Sequence, residues 1–281
     1  MIRFPNAKIN LGLNVVRKRD DGYHDLETVF HPLGIQDALE ILPGSGDGVD
    51  EDVELHVSGL AVDGAAGDNI CVKAWRLLKQ DHPELPPIRL FLHKAIPMGA
   101  GLGGGSSDGA FALEMMVRMF SLPVDAERLA AYSLKLGSDC PFFLVNRPAY
   151  GTGQGERLET LPLDLSSYRI LLVHPGIHVS TAQAFGGVRP AIPSVRVKDI
   201  VAQPVETWRG LLVNDFEKTV FAAHPEIGRI KDAIYSAGAV YASMSGTGSS
   251  VYGFFPKGTE PAIPFPDRYL IRWADALPVI R

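Results

Sequence analysis

Apolar and polar positions alternate from the start of the chain. Between Ala7 and Val16, residues Ile9, Leu11, Leu13 and Val15 fall on one face and Lys8, Asn10, Gly12 and Asn14 on the other. That pattern predicts a strand with one apolar side. Arg17 to Gly22 reads as a charged turn ending in Asp21-Gly22, with a second strand following through Phe30. Further strands are predicted over 38–42, 53–58 and 88–93, and a helix over 72–79 with Trp75, Leu77 and Leu78 as its apolar members. Residues 108–120 read as a buried helix capped by Ser107 or Asp108, and 125–136 as another, stopped by Gly137. Ser138 to Phe143 reads as a tight turn entering a short strand, and 149–161 holds a glycine-rich turn. In the second half strands are predicted over 169–174, 239–244, 250–255 and 269–273. Helices are predicted over 181–185 (capped by Ser180 or Thr181), 205–223 and 225–237. Helices and strands mix without strict alternation, so the expected class is α+β. A boundary is placed near residue 152, giving domains 1–152 and 153–281.

Composition narrows the classes. With 281 residues, 46% of them hydrophobic, the chain can build a substantial core. A net charge of −5 argues against a general nucleic-acid binder. No apolar stretch is long enough to span a bilayer, and Met1 to Asn6 lacks the apolar core of a signal peptide. Cys71 and Cys140 are the two cysteines and read as buried, reduced, inert thiols. The expectation is a cytoplasmic protein with neither nucleic acid nor membrane as partner. His174 and His178 are separated by Pro175-Gly176, which breaks the helix that would bring them together, so no zinc site is expected there. Residues 43–52 read as an acidic surface loop.

The densest chemical signal is Pro97-Met98-Gly99-Ala100-Gly101-Leu102-Gly103-Gly104-Gly105-Ser106-Ser107-Asp108. Glycines allow a backbone to curl its N–H groups around an anion, and a helix starting behind them adds the positive end of its dipole. A Walker A loop is excluded, because no Gly-Lys-Ser/Thr closes the run. Gly99, Gly101 and Gly104 meet the dinucleotide pattern GxGxxG, but Pro97 and the lack of a regular βαβ continuation oppose that reading. A flexible linker does not suit a run wedged between a buried strand and a buried helix. On chemistry alone, a phosphate cradle and a structural loop remain the alternatives.

The run resembles the phosphate loop of the GHMP kinases, the superfamily of galactokinase, homoserine kinase and mevalonate kinase. Gly101-Leu102-Gly103 and Ser106-Ser107 match its Gly-Leu-Gly and Ser-Ser. Residues 5–11 (PNAKINL), 21–30 (DGYHDLETVF), 136–143 (LGSDCPFF) and 244–250 (MSGTGSS) look like segments of the members that phosphorylate a cytidine-diphosphate-linked methylerythritol. The resemblance implies a two-domain α+β fold, with an N-terminal ATP-binding domain and a C-terminal substrate domain. It implies transfer of phosphate from ATP, with Mg²⁺, to the 2-hydroxyl of that substrate, a step of the non-mevalonate route to isoprenoid precursors.

Site roles follow from the same resemblance. Lys8 matches the catalytic lysine and Asp139 the catalytic aspartate, one steadying charge on the moving phosphoryl group and the other accepting the hydroxyl proton. Residues Pro97 to Ser107, with Asn69 and Lys94, match ATP-binding positions. Asn10, Tyr23, His24, Thr181, Phe185, Gly246 and Thr247 match the substrate side, with the cytosine held between the Tyr23 and Phe185 rings and bonded by the His24 main chain. Taken alone, Asn69 also suits a helix cap, Lys94 a surface charge and Asp139 a turn cap. The metal's ligands are left open. A monomer or weak homodimer is expected.

Overall fold

The computed structural model describes residues 1–44, 52–62 and 64–277, so the predicted acidic loop falls mostly outside the described residues. Its strands are β1 (Ile2–Arg3), β2 (Asn6–Lys18), β3 (His24–Gln36), β4 (Ala38–Pro43), β5 (Val53–Gly59), β6 (Ile88–Lys94), β7 (Ala149–Gly153), β8 (Arg157–Thr160), β9 (Tyr168–His174), β10 (Tyr241–Met244), β11 (Val251–Pro256) and β12 (Leu270–Asp275). Its helices are α1 (Ile70–Asp81), α2 (Gly104–Met119), α3 (Ala126–Leu136), α4 (Cys140–Val145), α5 (Thr181–Phe185), α6 (Val197–Val201), α7 (Phe216–Ala223) and α8 (Pro225–Ser236). The α+β expectation holds. Among the described residues no helix is long and apolar enough to cross a membrane.

Packing divides the chain into two compact units interleaved in sequence. Unit 1 comprises 1–7, 35–98 and 103–146, and unit 2 comprises 8–34, 99–102 and 147–281. The glycine run contributes to both.

Unit 1 is built on a four-stranded sheet in the order β1-β4-β6-β5, antiparallel except for the parallel β5–β6 pair. Alternation on β6 turns Ile88, Leu90 and Leu92 inward, against Leu39 and Ile41 of β4. Trp75 and Leu78 of α1 and Leu113 and Met116 of α2 complete that core. The Asn69 side chain caps α1, accepting from Cys71 N–H at 2.9 Å, and Asp125 caps α3 through Arg128 N–H at 2.8 Å. Both cysteines are buried and unbridged.

Unit 2 carries two sheets, in the orders β2-β3-β7-β8 and β10-β11-β9-β12. A core of Leu13, Val15, Leu171, Val173, Phe216, Ile230, Ile234 and Val251 lies beneath α7 and α8. Gly12, whose place in a strand is unusual, has φ +66° and lies where a Cβ would press within 2.6 Å of the Leu212 side chain.

Three sequence expectations are corrected. Helix α2 begins at Gly104, not after Ser107, and Gly103 in the left-handed conformation precedes it without a side-chain cap. Ser107 and Asp108 therefore lie inside the helix and are buried. Residues 140–145 form helix α4 rather than a strand, with Pro141 in its first turn, where the missing N–H costs no hydrogen bond. The helix predicted over 205–223 is confined to 216–223. Val205–Thr207 is one 3₁₀ turn, and the chain next bridges β2 in parallel at Leu13 and Asn214. The stretch 186–204, for which the sequence offered no match, holds α6 and is tied down by Ala191 N–H to the Val15 carbonyl (2.9 Å) and by Arg196 to Glu27 (2.9 Å).

Candidate active site

In unit 2 the polar face of β2 is buried along with the apolar one, where the alternation predicted a single apolar side. Lys8 and Asn10 are 4% and 1% exposed, and the Lys8 ammonium donates to Asn10 Oδ1 at 2.6 Å. The ammonium also lies 5.3 Å from the centroid of the Phe30 ring. Asn10 is engaged on every side. Its amide donates to Thr28 Oγ1 (3.0 Å), its N–H to Ser245 Oγ (3.2 Å), and its carbonyl accepts from the Tyr252 hydroxyl (2.7 Å). A side chain bonded this fully has one orientation, so the Lys8 ammonium it receives is oriented too.

The same network holds part of the glycine run. Lys8 N–H donates to the Leu102 carbonyl at 2.9 Å, Ser245 Oγ to the Gly101 carbonyl at 2.8 Å, and Ser250 N–H to the Ala100 carbonyl at 3.2 Å. Gly101 has φ +77°, and a Cβ there would collide with the Ser245 carbonyl. Lys8, Asn10, Ala100–Leu102 and the Ser245–Ser250 turn, drawn from three distant stretches of sequence, thus form one hydrogen-bonded assembly. Asn214 braces that turn, donating to the carbonyls of Met244 and Gly246, both at 2.8 Å. Gly246 is buried with φ +56°, and Thr247 is the partly exposed residue of the turn. His178 lies beside Gly99, where a Cβ would be 3.4 Å from its Nδ1.

The residues that the sequence assigned to the base are also in unit 2. The His24 ring stacks on Phe185, centroids 4.6 Å apart and planes 24° from parallel. Phe185 meets Phe216 edge-on at 4.7 Å. Tyr23 is 59% exposed. The resemblance places a cytosine between the Tyr23 and Phe185 rings; in the structure the ring stacked on Phe185 is that of His24. Burial, and then Lys18, hold the His24 imidazole below its ordinary pKa. Thr181 opens α5 and is exposed, while Ser180 takes the cap, accepting from Gln183 N–H at 3.1 Å.

Unit 1 holds Pro97, Met98, Gly103 to Ser107, Asn69, Lys94 and Asp139. Asp139 occupies the position before α4 without capping it. Its neighbours in sequence place it. Cys140 bonds the Ser106 side chain, and a Cβ on Gly137 would lie 3.8 Å from Ser106 Oγ. Asp139 is therefore carried on a turn packed against the first turn of α2. Burial pushes the Cys140 thiol up to about 12, so it stays protonated and takes no part as a nucleophile. Ser107 Oγ is buried without a hydrogen-bond partner.

Lys94 is not a surface charge. Its ammonium is 1% exposed and bonded to Asp37 and to Asp108 Oδ2, the latter at 2.7 Å. Period-two alternation could have found this. Lys94 continues the inward row Ile88, Leu90, Leu92, and a lysine on a core face demands carboxylate partners. Asp37, Thr28 and Asn214 were missed as site builders because each reads locally as a turn or strand residue. Among the described residues no group of three or more His, Cys, Asp or Glu could hold a metal.

Comparison with known proteins agrees with this geometry. Residues 69–147 match the GHMP kinases N terminal domain and 197–263 the GHMP kinases C terminal domain. The chain is 48% identical over 262 residues to the 4-diphosphocytidyl-2-C-methyl-D-erythritol kinase of Bacteroides thetaiotaomicron, covering 93% of this chain and 94% of that protein. It is 48% identical over 259 residues to the corresponding kinase of Porphyromonas gingivalis, covering 91% and 92%. A crystal structure of a 4-(cytidine 5'-diphospho)-2C-methyl-D-erythritol kinase superposes with TM-score 0.78 at 31% identity, covering 98% of this chain and 99% of that one. A mevalonate kinase structure, at 14% identity and TM-score 0.66, shares the fold.

Proposed function

The chain belongs to the GHMP kinases and, within them, to the 4-diphosphocytidyl-2-C-methyl-D-erythritol kinases, and we propose the division of labour by which its residues carry that reaction. The reaction is transfer of the γ-phosphoryl group of ATP to the 2-hydroxyl of the cytidine-diphosphate-linked methylerythritol, in the non-mevalonate route to isoprenoid precursors. The observation that carries the assignment of roles is the hydrogen-bonded assembly of Lys8, Asn10, Gly101–Leu102 and Ser245. It fixes a buried ammonium to the backbone of the glycine run.

The run from Pro97 to Ser107 receives the nucleotide phosphates on its N–H groups, and the start of α2 adds its dipole. The Ser107 hydroxyl, otherwise unpartnered, donates to a phosphate oxygen. Lys8 stabilises charge on the phosphoryl group in flight, and Asn10 keeps the ammonium aimed. Asp139 orients the acceptor hydroxyl and takes its proton; Mg²⁺, when bound, would neutralise phosphate charge. Asp139 is the one carboxylate among the proposed site residues that would suit that ion. The His24–Phe185 stack opens to admit the cytosine, and Tyr23, Thr181, Gly246 and Thr247 border the rest of the substrate. Asn69, by capping α1, supports the nucleotide side. The family division at 152/153, a cytoplasmic location and a monomer or weak homodimer complete the proposal.

Purified protein with ATP, Mg²⁺ and the cytidylylated alcohol should release one ADP per phosphorylated product, while mevalonate and homoserine should release none above background. ADP release with mevalonate or homoserine in its place would refute the substrate assignment.

A further inference from the structure

Lys94, Asp37 and Asp108 sit where the chain enters and leaves the phosphate run. Lys94 ends β6, Asp108 lies in the second turn of α2, and Asp37 joins β3 to β4. Their side chains are 1%, 3% and 0% exposed. Asp37 reaches further. Its Oδ1 accepts from Ala95 N–H at 2.6 Å and Ile96 N–H at 2.8 Å, the two residues that lead into Pro97. Its own N–H is held by the Pro5 carbonyl at 2.8 Å. On the far side of the run, α2 comes so near that a Cβ on Gly104 would be 2.8 Å from Ile96 and 3.4 Å from the Lys94 ammonium. One carboxylate thus grips the entry, another rides on the exit helix, and the ammonium bonds both.

We propose that Lys94 serves nucleotide binding as a positioning residue, through a buried clamp with Asp37 and Asp108 that fixes the two ends of the phosphate run. This rests on the kinase reading above. Buried ion groups of this kind contribute little net stability, because desolvation offsets their attraction, and their recurrent use is to specify one geometry. Here that geometry is the spacing between strand exit and helix start, on which the direction of the loop N–H groups depends. If the trio were fully ionised it would carry a net charge of −1. Burial raises the Asp108 carboxyl to about 7, against the pull of Lys94, so neutralising the exit-side carboxylate comes at small cost. The clamp accounts for a lysine in a core row whose charge is already spent on protein groups.

The test is ATP-analogue affinity by calorimetry, with separate KM values for ATP and for the cytidine substrate. Three proteins are compared with the native one: Asp37→Ala, Asp37→Asn, and the pair Lys94→Met with Asp108→Asn, which keeps the buried charge at −1. Asp37→Ala and the pair should each weaken ATP binding about tenfold or more, with the KM for the cytidine substrate changed less than twofold. Asp37→Asn keeps an acceptor for both N–H groups and should stay within about threefold. If Asp37→Ala does not fold, Asp37→Ser, too short to hold both N–H groups but leaving Lys94 in place, is read instead. Native ATP affinity in folded Asp37→Ala, with loss only in the pair, would mean that Lys94 touches the nucleotide itself and would overturn the clamp. Equal losses in both KM values would overturn it as well. A native protein that binds no ATP would instead overturn the kinase reading.

Discussion

Near the glycine run, unit 1 removes a group of charges from water, beside the neutral Ser107 hydroxyl. These charges are an ammonium and two carboxylates bonded to one another. Unit 2 surrounds its own part of the run mainly with amides, hydroxyls and carbonyls, with Lys8 as the ammonium they orient. The difference matters for how each region fails. A neutral network loses about 1–3 kcal/mol when one partner is removed. A buried charge left without its partner costs more and disturbs the backbone it was holding. Unit 1 should therefore be less tolerant of single changes and unit 2 more graded.

The comparison can be broken first at Gly101. Gly101→Ala forces a side chain into a left-handed position against the Ser245 carbonyl. We expect kcat/KM for ATP to fall by about 100-fold or more in protein that still folds. Near-native kinetics would show that the turn is looser than its hydrogen bonds suggest. Next, Phe185→Ala removes one face of the proposed base pocket. Stacking of about 1–3 kcal/mol should appear as a roughly 10- to 100-fold rise in KM for the cytidine substrate, with the KM for ATP unchanged. Equal rises in both would show that Phe185 supports the fold rather than the base. Ser245→Ala leaves Asn10 N–H and the Gly101 carbonyl short of a partner, and should cost about 1–3 kcal/mol in denaturant unfolding with about a tenfold loss of kcat.

The smallest expected effect is a contrast in pH response. Burial raises Asp108 in unit 1 to about 7 and lowers His31 in unit 2 to about 4. The folded state therefore binds a proton at Asp108 more tightly than the unfolded chain does. Its stability contribution is full below about pH 4 and declines as pH rises through about 7. His31 behaves oppositely, because the fold favours the neutral ring. Its contribution is full above about pH 6.5 and is lost as pH falls toward 4. Thermal unfolding should show Asp108→Asn gaining on the native protein as pH rises from about 4 to 7, and His31→Gln gaining as it falls from about 6.5 to 4. Parallel curves would show that neither burial penalty is present.

Much of this was legible in the amino-acid sequence. The alternation from Ala7 to Val16 placed Lys8 and Asn10 on one face, and the glycine run with the segments around Asp21 and Asp139 pointed to the family. What escaped has physical causes. Glycine's low helix propensity hid the first turn of α2, which forms because Gly104 is small enough to pack on Ile96. Residues 140–145 are apolar throughout and too few for periodicity to separate helix from strand. The stretch 205–215 has helical spacing, but its backbone is used to bridge β2. The stacking of the His24 ring on Phe185 depends on side-chain direction after a tight turn, which residue type does not encode. The carboxylates around Lys94 come from 57 and 14 residues away, so pairing them needs the fold.

Lys8 and Asp139 are proposed to act on one phosphoryl transfer. Single-turnover rates on Lys8→Met, Asp139→Asn and the double variant, with ATP affinity measured in parallel, test it most directly. The account predicts that each single change lowers the rate by about 1,000-fold or more with ATP still bound, and that the double variant is scarcely slower than either, as for groups working as a unit. Near-native rates in Asp139→Asn, or losses that multiply in the double variant, would contradict it.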